Sequence, residues 1–500
     1  MGRGSRGHDH RDRAHHCPLH RGATASGRGN CFRCRQGVTA TATRRAGVVP
    51  RKQEGNASMN LRTRRGALSA AGLFGTGLAL AACGGDGASG GAAAPAASSG
   101  PVKLVYWGAF AANLGKVQEE VVKQFNDSQK AVTVEHQFQG SYEELANKLT
   151  AALQAKQAPD MAVLSDVWWY KFYLNKAIQP MDDLMKAEKV DTKDYVDSLF
   201  NEYVQAGKSY ALPFARSTPL FYYNKDAYKK AGLPDRAPKT WDEFVKDFAP
   251  KLKGAIDPKQ FVFANGGYSA WIFQGVIWQF GGAYSDKDFK MTIGEPKGVQ
   301  AGEFYRDSIK AGWSQSVKND TDEFKQMNAV NIINSTGSLV GILDAAKGKF
   351  EVGTGFLPEG PAGFGCPTGG AGVAILSGLA KEKQAASMQY IAFATSPKVQ
   401  ASWSQQTGYM PVRKTAIDSK EMQDFVKTNP NFKTALDQLP KTKFQDSARV
   451  FVPNGDQILA KGLERILVNQ EAPSTVFKEV AETLTKEAEP VIKARKALGA

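Results

Sequence analysis

The sequence has few cysteines and histidines, and most of them lie close to its start. Five cysteines and six histidines occur in 500 residues, and eight of these eleven precede residue 35. The rest of the chain keeps Cys83, Cys366 and His136. Zinc sites and disulfide frameworks need several such residues at set spacings, and Cys31 and Cys34 lack a second ligand pair. We therefore expect no disulfide, no metal site and no cofactor.

Recognised catalytic motifs are also missing. The chain has no Walker loop and no His-Glu-x-x-His, and residues 267–271 fail the Gly-x-Ser-x-Gly pattern at its final glycine. The glycine-rich residues 363–372 lack the dinucleotide-binding spacing. Carboxylates are plentiful, but nothing in the sequence selects two of them as a glycosidase pair. We predict no catalytic residues.

Apolar runs long enough to span a membrane comfortably are absent as well. The stretch Ser69–Leu80 is under twenty residues long and rich in glycine, whereas a membrane helix needs about 20 apolar residues. It follows Arg64 and Arg65 and leads into Leu-Ala-Ala-Cys, ending at Cys83. A charged start, an apolar centre and small residues before a cut are typical of an export signal. We expect a signal peptide over residues 59–82.

The end of this signal resembles the lipobox of bacterial lipoproteins, whose cysteine carries the lipid. We therefore predict that Cys83 is lipidated and anchors the exported protein to the outer face of the cytoplasmic membrane. The paired arginines resemble a twin-arginine signal, although Ala67 stands where an aromatic is usual, and Sec export stays an alternative. Residues 1–58 are interpreted as an extension from a start assigned too early, with Met59 as the true start.

The basic charge of the chain belongs mostly to this first part. Residues 1–82 hold 15 of the 64 basic and 3 of the 49 acidic residues, so residues 83–500 keep 49 against 46. Nucleic-acid binding depends on an excess of basic residues, so it is not expected. Residues 83–100 are almost entirely Gly, Ala, Ser and Pro, which predicts a flexible tether. The remaining 400 or so residues exceed what one core usually supports, which favours two lobes.

The first of these lobes opens with alternating strand and helix patterns. Strands are predicted over Val102–Trp107, Val132–Phe138 and Met161–Leu164. Apolar residues at three- and four-residue spacing between positions 114 and 125 predict a helix, and a second helix is expected over Tyr142–Gln154. This alternation favours an α/β fold with a mostly parallel sheet, in which ligands bind beyond the carboxyl ends of strands.

Tyr268 and Trp271 are candidates for ligand contact because they follow the turn 265–267 (Asn-Gly-Gly). Such a turn delivers side chains to the edge of a sheet. Aromatic rings pack against the C–H surfaces of sugars and polyols and leave their hydroxyls free for hydrogen bonds. Packing in the core is the alternative for both side chains.

Several short segments occur along the chain in an order typical of one protein family. They are residues 212–219, 222–226, 231–234, 238–244, 335–339, 369–372 and 407–412. With them the chain resembles, from Trp107 to its end, the extracellular solute-binding proteins (family 1, maltose-binding type) of ABC importers. The resemblance implies the type II periplasmic-binding-protein fold, with two α/β lobes, a hinge and a central ligand cleft. Lobe I would comprise 101–216 plus 366–414, and lobe II 219–362 plus 420–500.

Within this family the likeness is greatest to the glycerol-3-phosphate-binding subgroup, carried by residues 176–184, 217–219 and 407–409. The resemblance implies a set of ligand contacts drawn from both lobes. They fall on Tyr142, Asp166, Ser217, Tyr268, Trp271, Ser335, Gly370 and Tyr409.

The chain departs from the subgroup at three of its positions. Asp166 stands where the subgroup has Glu, Tyr268 where it has Trp, and the subgroup's C-terminal arginine falls on Leu459. A lost arginine would remove a charged clamp for phosphate. Arg216 is therefore added to the candidate ligand residues, since it would restore a cation. Pairing of Arg216 with a carboxylate of its own lobe is the alternative.

The implied function is capture of a small solute and its delivery to a membrane permease. A sugar, a polyol or a glycerol-phosphate-type solute, including a glycerophosphodiester, would bind between the lobes, and closure about the hinge would present it to the ABC permease subunits. Such a protein is not an enzyme. The alternative is a lipid-anchored extracytoplasmic glycosidase or phosphodiesterase.

Overall fold

The computed structural model describes residues 100–267 and 269–499. Within these ranges the chain forms twelve strands, numbered in chain order. They are β1 (Val102–Gly108), β2 (Val132–Phe138), β3 (Met161–Ser165), β4 (Val204–Gln205), β5 (Lys208–Ser209), β6 (Leu212–Ser217), β7 (Pro219–Asn224), β8 (Phe261–Asn265), β9 (Ser314–Ser316), β10 (Ala329–Ser335), β11 (Val352–Gly355) and β12 (Gly369–Ile375).

The α-helices of the same ranges are also numbered in chain order. They are α1 (Ala112–Ser128), α2 (Tyr142–Gln154), α3 (Trp169–Leu174), α4 (Asp182–Ala187), α5 (Asp197–Phe200), α6 (Lys225–Lys230), α7 (Trp241–Glu243), α8 (Ala249–Ala255), α9 (Ser269–Gln279), α10 (Pro296–Lys310), α11 (Asp320–Lys325), α12 (Leu339–Ala346), α13 (Lys381–Ala394), α14 (Pro397–Thr407), α15 (Lys414–Asp418), α16 (Lys420–Thr428), α17 (Pro430–Gln438), α18 (Ser447–Val450), α19 (Gly455–Leu467) and α20 (Pro473–Ala497).

The first sheet has the strand order β2-β1-β3-β12-β6. The predicted bounds of β2 and α2 are confirmed at both ends. Helix α2 begins after Ser141, whose side chain accepts from the N–H of Glu144 in a capping box. All five residues of β3 are buried, as expected for a strand covered on both faces. Strands β1, β2 and β3 run parallel as predicted, but β12 is antiparallel to β3 and to β6.

The second sheet has the strand order β11-β7-β10-β8-β9. Strands β8, β9 and β10 are parallel, and β7 runs antiparallel to β10 and β11. Helix α10 packs against β9, and α19 packs against α9, α10 and α20. The C-terminal helices therefore belong to the side of the second sheet.

The chain crosses between the two sheets at Thr218, which alone separates the end of β6 from the start of β7. Thr218 Oγ1 lies 2.8 Å from Cys366 Sγ and accepts from Gln438 Nε2 at 3.0 Å. Burial raises the pKa of the Cys366 thiol to about 12, so this cysteine stays protonated. Two β-sheets with their helices, joined by a short crossing, agree with the predicted α/β fold class. The lobe boundaries themselves stay a prediction.

Several predictions concern residues outside the described ranges. They are the extension 1–58, the signal peptide 59–82, the lipidated Cys83 with most of the tether, and Tyr268. Within residues 100–267 and 269–499, no helix combines the length and the apolar character that crossing a bilayer requires.

Candidate functional site

Asp166 follows β3 directly, at the carboxyl end of the central strand of the first sheet. Its backbone N–H donates to the carbonyl oxygen of Gly370 at 2.9 Å, which ties it to β12. The side chain is 5% exposed, and its Oδ2 accepts from Gln445 Nε2 at 2.6 Å. Arg449 Nη1 lies 3.4 Å from the same oxygen. Asp166 is thus a buried acceptor at which the first-sheet side meets residues from the second-sheet side.

Arg449 lies in the short helix α18 and is 6% exposed. Its Nη1 also contacts Gln445 Oε1, and its Nε donates to Asp456 Oδ1 at 2.7 Å. Burial lowers the pKa of Arg449, but Asp456, Asp166 and Tyr284 together raise it above its ordinary value. The guanidinium therefore remains charged in a buried position beside Asp166.

The resemblance implies that the subgroup's C-terminal arginine falls on Leu459, an apolar residue of α19. It is 1% exposed within the core face of α19. Arg449, ten positions earlier, is a buried cation beside Asp166. Arg449 lies in the run Ser-Ala-Arg-Val, residues 447–450, whose burial is visible only in the structure, so no sequence pattern marked this arginine. A charged residue in such a run is unusual unless it is paired.

Arg216 is fully buried, and its Nη2 forms an ion pair with Glu202. Tyr203 Oη lies 2.7 Å from Arg216 Nη1. Burial raises the pKa of Glu202, although the guanidinium opposes that shift. The structure therefore shows pairing of Arg216 with a carboxylate of its own lobe. Tyr203 and Glu202 thus occupy Nη1 and Nη2 of this guanidinium.

Trp271 lies in α9 on the second-sheet side and reaches across to the first. It is 4% exposed, and its Nε1 donates to the carbonyl oxygen of Thr368 at 2.8 Å. The indole covers Gly369, where a Cβ atom would lie 2.6 Å from the ring. Gly370 has φ +105°, and a Cβ there would lie 2.1 Å from the carbonyl oxygen of Ala215. The start of β12 is thus glycine because both neighbours approach its backbone closely.

Tyr409 and Tyr142 share an aromatic neighbour, Phe110. The ring centroid of Phe110 lies 5.9 Å from that of Tyr142 and 6.0 Å from that of Tyr409. Tyr409 also covers Gly337, where a Cβ would lie 2.7 Å from its ring. Gly337 N–H donates to the side chain of Ser335, at the end of β10, at 3.1 Å. These residues again join the first-sheet side to the second.

The structure therefore brings most of the predicted ligand residues to the boundary between the two sheets. Asp166 and Gly370 are hydrogen-bonded, and Ser217 pairs with Gly369 beside the ring of Trp271. Tyr142, Tyr409 and Ser335 form the second group described above. Tyr268 lies outside the described residues. Gln445 and Arg449 are the site residues that sequence reasoning missed.

This arrangement offers two complementary kinds of hydrogen bonding. A buried carboxylate accepts from hydroxyl groups, and a guanidinium presents several donors that suit an anionic oxygen group. Aromatic rings supply apolar faces. Among the described residues no group of three or more His, Cys, Asp or Glu side chains could hold a metal ion. The chemistry of the site is that of recognition of a small polar solute.

Comparison with known proteins shows what the chain is similar to. A sequence profile described as bacterial extracellular solute-binding protein matches residues 120–434, well over half of the chain. The sn-glycerol-3-phosphate-binding periplasmic protein UgpB of Escherichia coli K12 is 28% identical over 403 residues, covering 76% of this chain and 91% of that protein.

Solved structures show the same fold. UgpB from Mycobacterium tuberculosis in complex with glycerophosphocholine is 40% identical, with a TM-score of 0.73, and covers 79% of this chain and 99% of its own. The GacH receptor of Streptomyces glaucescens, solved unliganded and with acarbose, has a TM-score of 0.69 at 18% identity, over 77% of this chain and 98% of its own. The predicted fold with two α/β lobes is thereby confirmed.

Proposed function

The chain belongs to the family of bacterial extracellular solute-binding proteins, and from this premise we propose that it captures a glycerophosphodiester and delivers it to an ABC permease. The observation that carries the proposal is the buried contact between Asp166 and Arg449. Membership of this family confirms that the chain is a binding protein and not an enzyme. The glycosidase or phosphodiesterase alternative has no support.

Asp166 and Arg449 suit the two ends of a glycerol phosphate group. A carboxylate accepts hydrogen bonds from the vicinal hydroxyls of glycerol, and it would repel a phosphate placed against it. A guanidinium donates to two phosphate oxygens at once and keeps its charge at any relevant pH. A solute with hydroxyls at one end and a phosphate at the other would replace the direct contact between the two side chains.

The aromatic residues suit the apolar surface of the same solute. Trp271 and Tyr409 contact residues on both sides of the boundary, and Tyr142 packs against Phe110 on the first-sheet side. Rings placed this way cover C–H groups without competing for the hydroxyls. The E. coli relative is described as sn-glycerol-3-phosphate-binding, and the M. tuberculosis structure contains glycerophosphocholine. Both support this class of solute over a neutral sugar.

The test is titration calorimetry with glycerophosphocholine, sn-glycerol-3-phosphate and maltose. Saturable binding of glycerophosphocholine is expected, with weaker binding of maltose. Arg449→Ala should weaken glycerophosphocholine by roughly 2–4 kcal/mol, because it removes charge-assisted hydrogen bonds in a buried site. Arg465→Ala is the control, since Arg465 lies on α19 and pairs with Glu471 and Glu479. Unchanged affinity in Arg449→Ala would exclude the proposed phosphate contact.

The proposal extends to the location of the receptor. Membership of an extracellular family supports export, and we propose that Cys83 carries a lipid that keeps the receptor beside its permease. Labelling of growing cells with a fatty-acid analogue should mark the wild-type protein. Cys83→Ala should lose the label and pass into the soluble fraction. Equal labelling of both proteins would contradict lipidation at Cys83.

A further inference from the structure

The ring of Phe451 makes an aromatic contact between the two sides of the molecule. Its centroid lies 4.2 Å from that of Tyr170, and it meets Trp169 edge-on at 6.3 Å. Tyr170 and Trp169 belong to α3, which follows β3 of the first sheet. Phe451 directly follows α18, which leads into α19 on the second-sheet side. Opening of the cleft would separate these rings.

Two cavities flank this contact. One has a volume of about 340 Å³ and is lined by Tyr170, Gln205 and Phe451 among others. The other has a volume of about 290 Å³ and is lined by Trp168, Lys171 and Phe451 among others. Each cavity is lined by residues of α3 or next to it in sequence on one side, and by Phe451 and other residues of the second-sheet side on the other. Phe451 therefore lies between the two cavities, where α3 meets the second-sheet side.

The segment that carries Phe451 is fixed firmly to its own side. We define the bridging segment as residues 444–452. The carboxylate of Asp446 accepts from the backbone N–H of Tyr284 at 2.7 Å and from Trp278 Nε1 at 3.2 Å. The N–H of Ala448 donates to Ser285 Oγ at 2.9 Å. These bonds hold the bridging segment to the loop after α9.

The remaining side chains of the bridging segment reach across the boundary. Gln445 and Arg449 contact Asp166, and Phe451 contacts Tyr170. Because the segment is fixed to one side, a hinge opening that moves α3 and Asp166 away breaks all three contacts together. A solute bound between Asp166 and Arg449 would replace the contact between these two side chains. It would leave the contact between Phe451 and Tyr170 intact.

We infer that Phe451 is a positioning residue, which holds the bridging segment against α3 and thereby shifts the solute-free protein towards the closed form. The inference rests on the solute-binding function proposed above. A receptor whose binding-competent form is more populated binds with an apparent affinity higher in proportion to that population. Phe451 would therefore raise affinity and slow release without touching the solute.

The test uses the full chain with Phe451→Ala, and Phe444→Ala as the matched control. Phe444 lies in the same segment, is 43% exposed, and its ring is 5.9 Å from that of Phe451. Small-angle scattering without solute should give a larger radius of gyration for Phe451→Ala alone. Stopped-flow release of glycerophosphocholine should be about tenfold faster in that variant, with the solute-saturated forms equally compact. Phe451→Tyr keeps the ring and should restore both values.

Three outcomes decide the matter. Equal compactness of wild type and Phe451→Ala without solute would overturn the inference, even if release were faster, because the ring would then act on the solute itself. Values for Phe451→Tyr equal to those of Phe451→Ala would also overturn it, since the effect would then not depend on the aromatic ring. If glycerophosphocholine bound none of the variants, the proposed solute would fail, while the scattering comparison would still test Phe451.

Discussion

Arg216 and Arg449 are both buried, but their partners lie at different distances along the chain. Arg216 pairs with Glu202, 14 residues earlier, and the two lie on the same side of the molecule. Arg449 contacts Asp166, 283 residues earlier, on the opposite side. A hinge motion would not separate the first pair, because both of its residues lie on one side. The second pair joins the two sides, which is why Arg449 is the cation that we propose for the solute.

Arg216→Ala should lower the free energy of unfolding by about 3–5 kcal/mol, because it leaves the buried carboxyl of Glu202 without its partner. Urea unfolding of Arg216→Ala, with Arg465→Ala as a partly exposed control, measures the difference. The control should lose less than about 1 kcal/mol. If Arg216→Ala instead kept its stability and lost only phosphorylated solutes, Arg216 would be a ligand residue.

At the scale of elements, β12 is the strand on which the site depends most. It lies between β3 and β6, and its register shifts at Ala371/Gly372. The ring of Trp271 packs against Gly369, and the carbonyl oxygen of Gly370 accepts from the N–H of Asp166. A strand that begins with two glycines lets a side chain and a neighbouring backbone approach it closely. The same strand therefore positions residues from both sides of the cleft.

Gly370→Ala should cost about 2 kcal/mol or more of stability, and it should also weaken solute binding. Its φ of +105° disfavours any side chain, and the new Cβ would lie 2.1 Å from the carbonyl oxygen of Ala215. Gly378→Ala is the matched control, because Gly378 also has a positive φ (+84°) but has open space around it. Similar losses in both variants would show that the backbone angle matters and the close approach does not.

At the scale of the whole molecule, several buried carboxyl groups link stability to pH. Burial raises the pKa of Asp320 to about 7 and that of Asp446 to about 6. Asp320 is 1% exposed, and its Oδ1 accepts from Asn334 Nδ2 at 2.8 Å. A group whose pKa is raised on folding binds its proton more tightly in the folded state. Its contribution is complete below about pH 4 and is lost as the pH rises towards 7.

Asp320→Asn removes this dependence and is therefore a test of it. The stability of wild type relative to Asp320→Asn should fall as the pH rises from about 4 to about 7, by on the order of 4 kcal/mol at most. Melting temperatures of both proteins at half-unit intervals of pH measure the difference. A difference that stays constant across this range would show that Asp320 titrates near its ordinary pKa.

Local patterns in the sequence were enough for the elements that begin the first sheet. The alternation at Val132–Phe138 and the helical spacing at Tyr142–Gln154 depend on neighbours in the chain, and both elements have the predicted bounds. The directions of β6 and β12 could not be predicted in this way. They are set by the crossings between the two sheets, which depend on where distant segments meet.

The sequence by itself determined the family, the α/β class and the residue types that a polar solute needs. Only the tertiary structure decided which charged groups face one another. Arg449 lies beside Asp166, and Arg216 is paired with Glu202. The physical reason is that an ion pair depends on distance in space. Asp166 and Arg449 are 283 positions apart in the sequence, and only the tertiary fold brings them together.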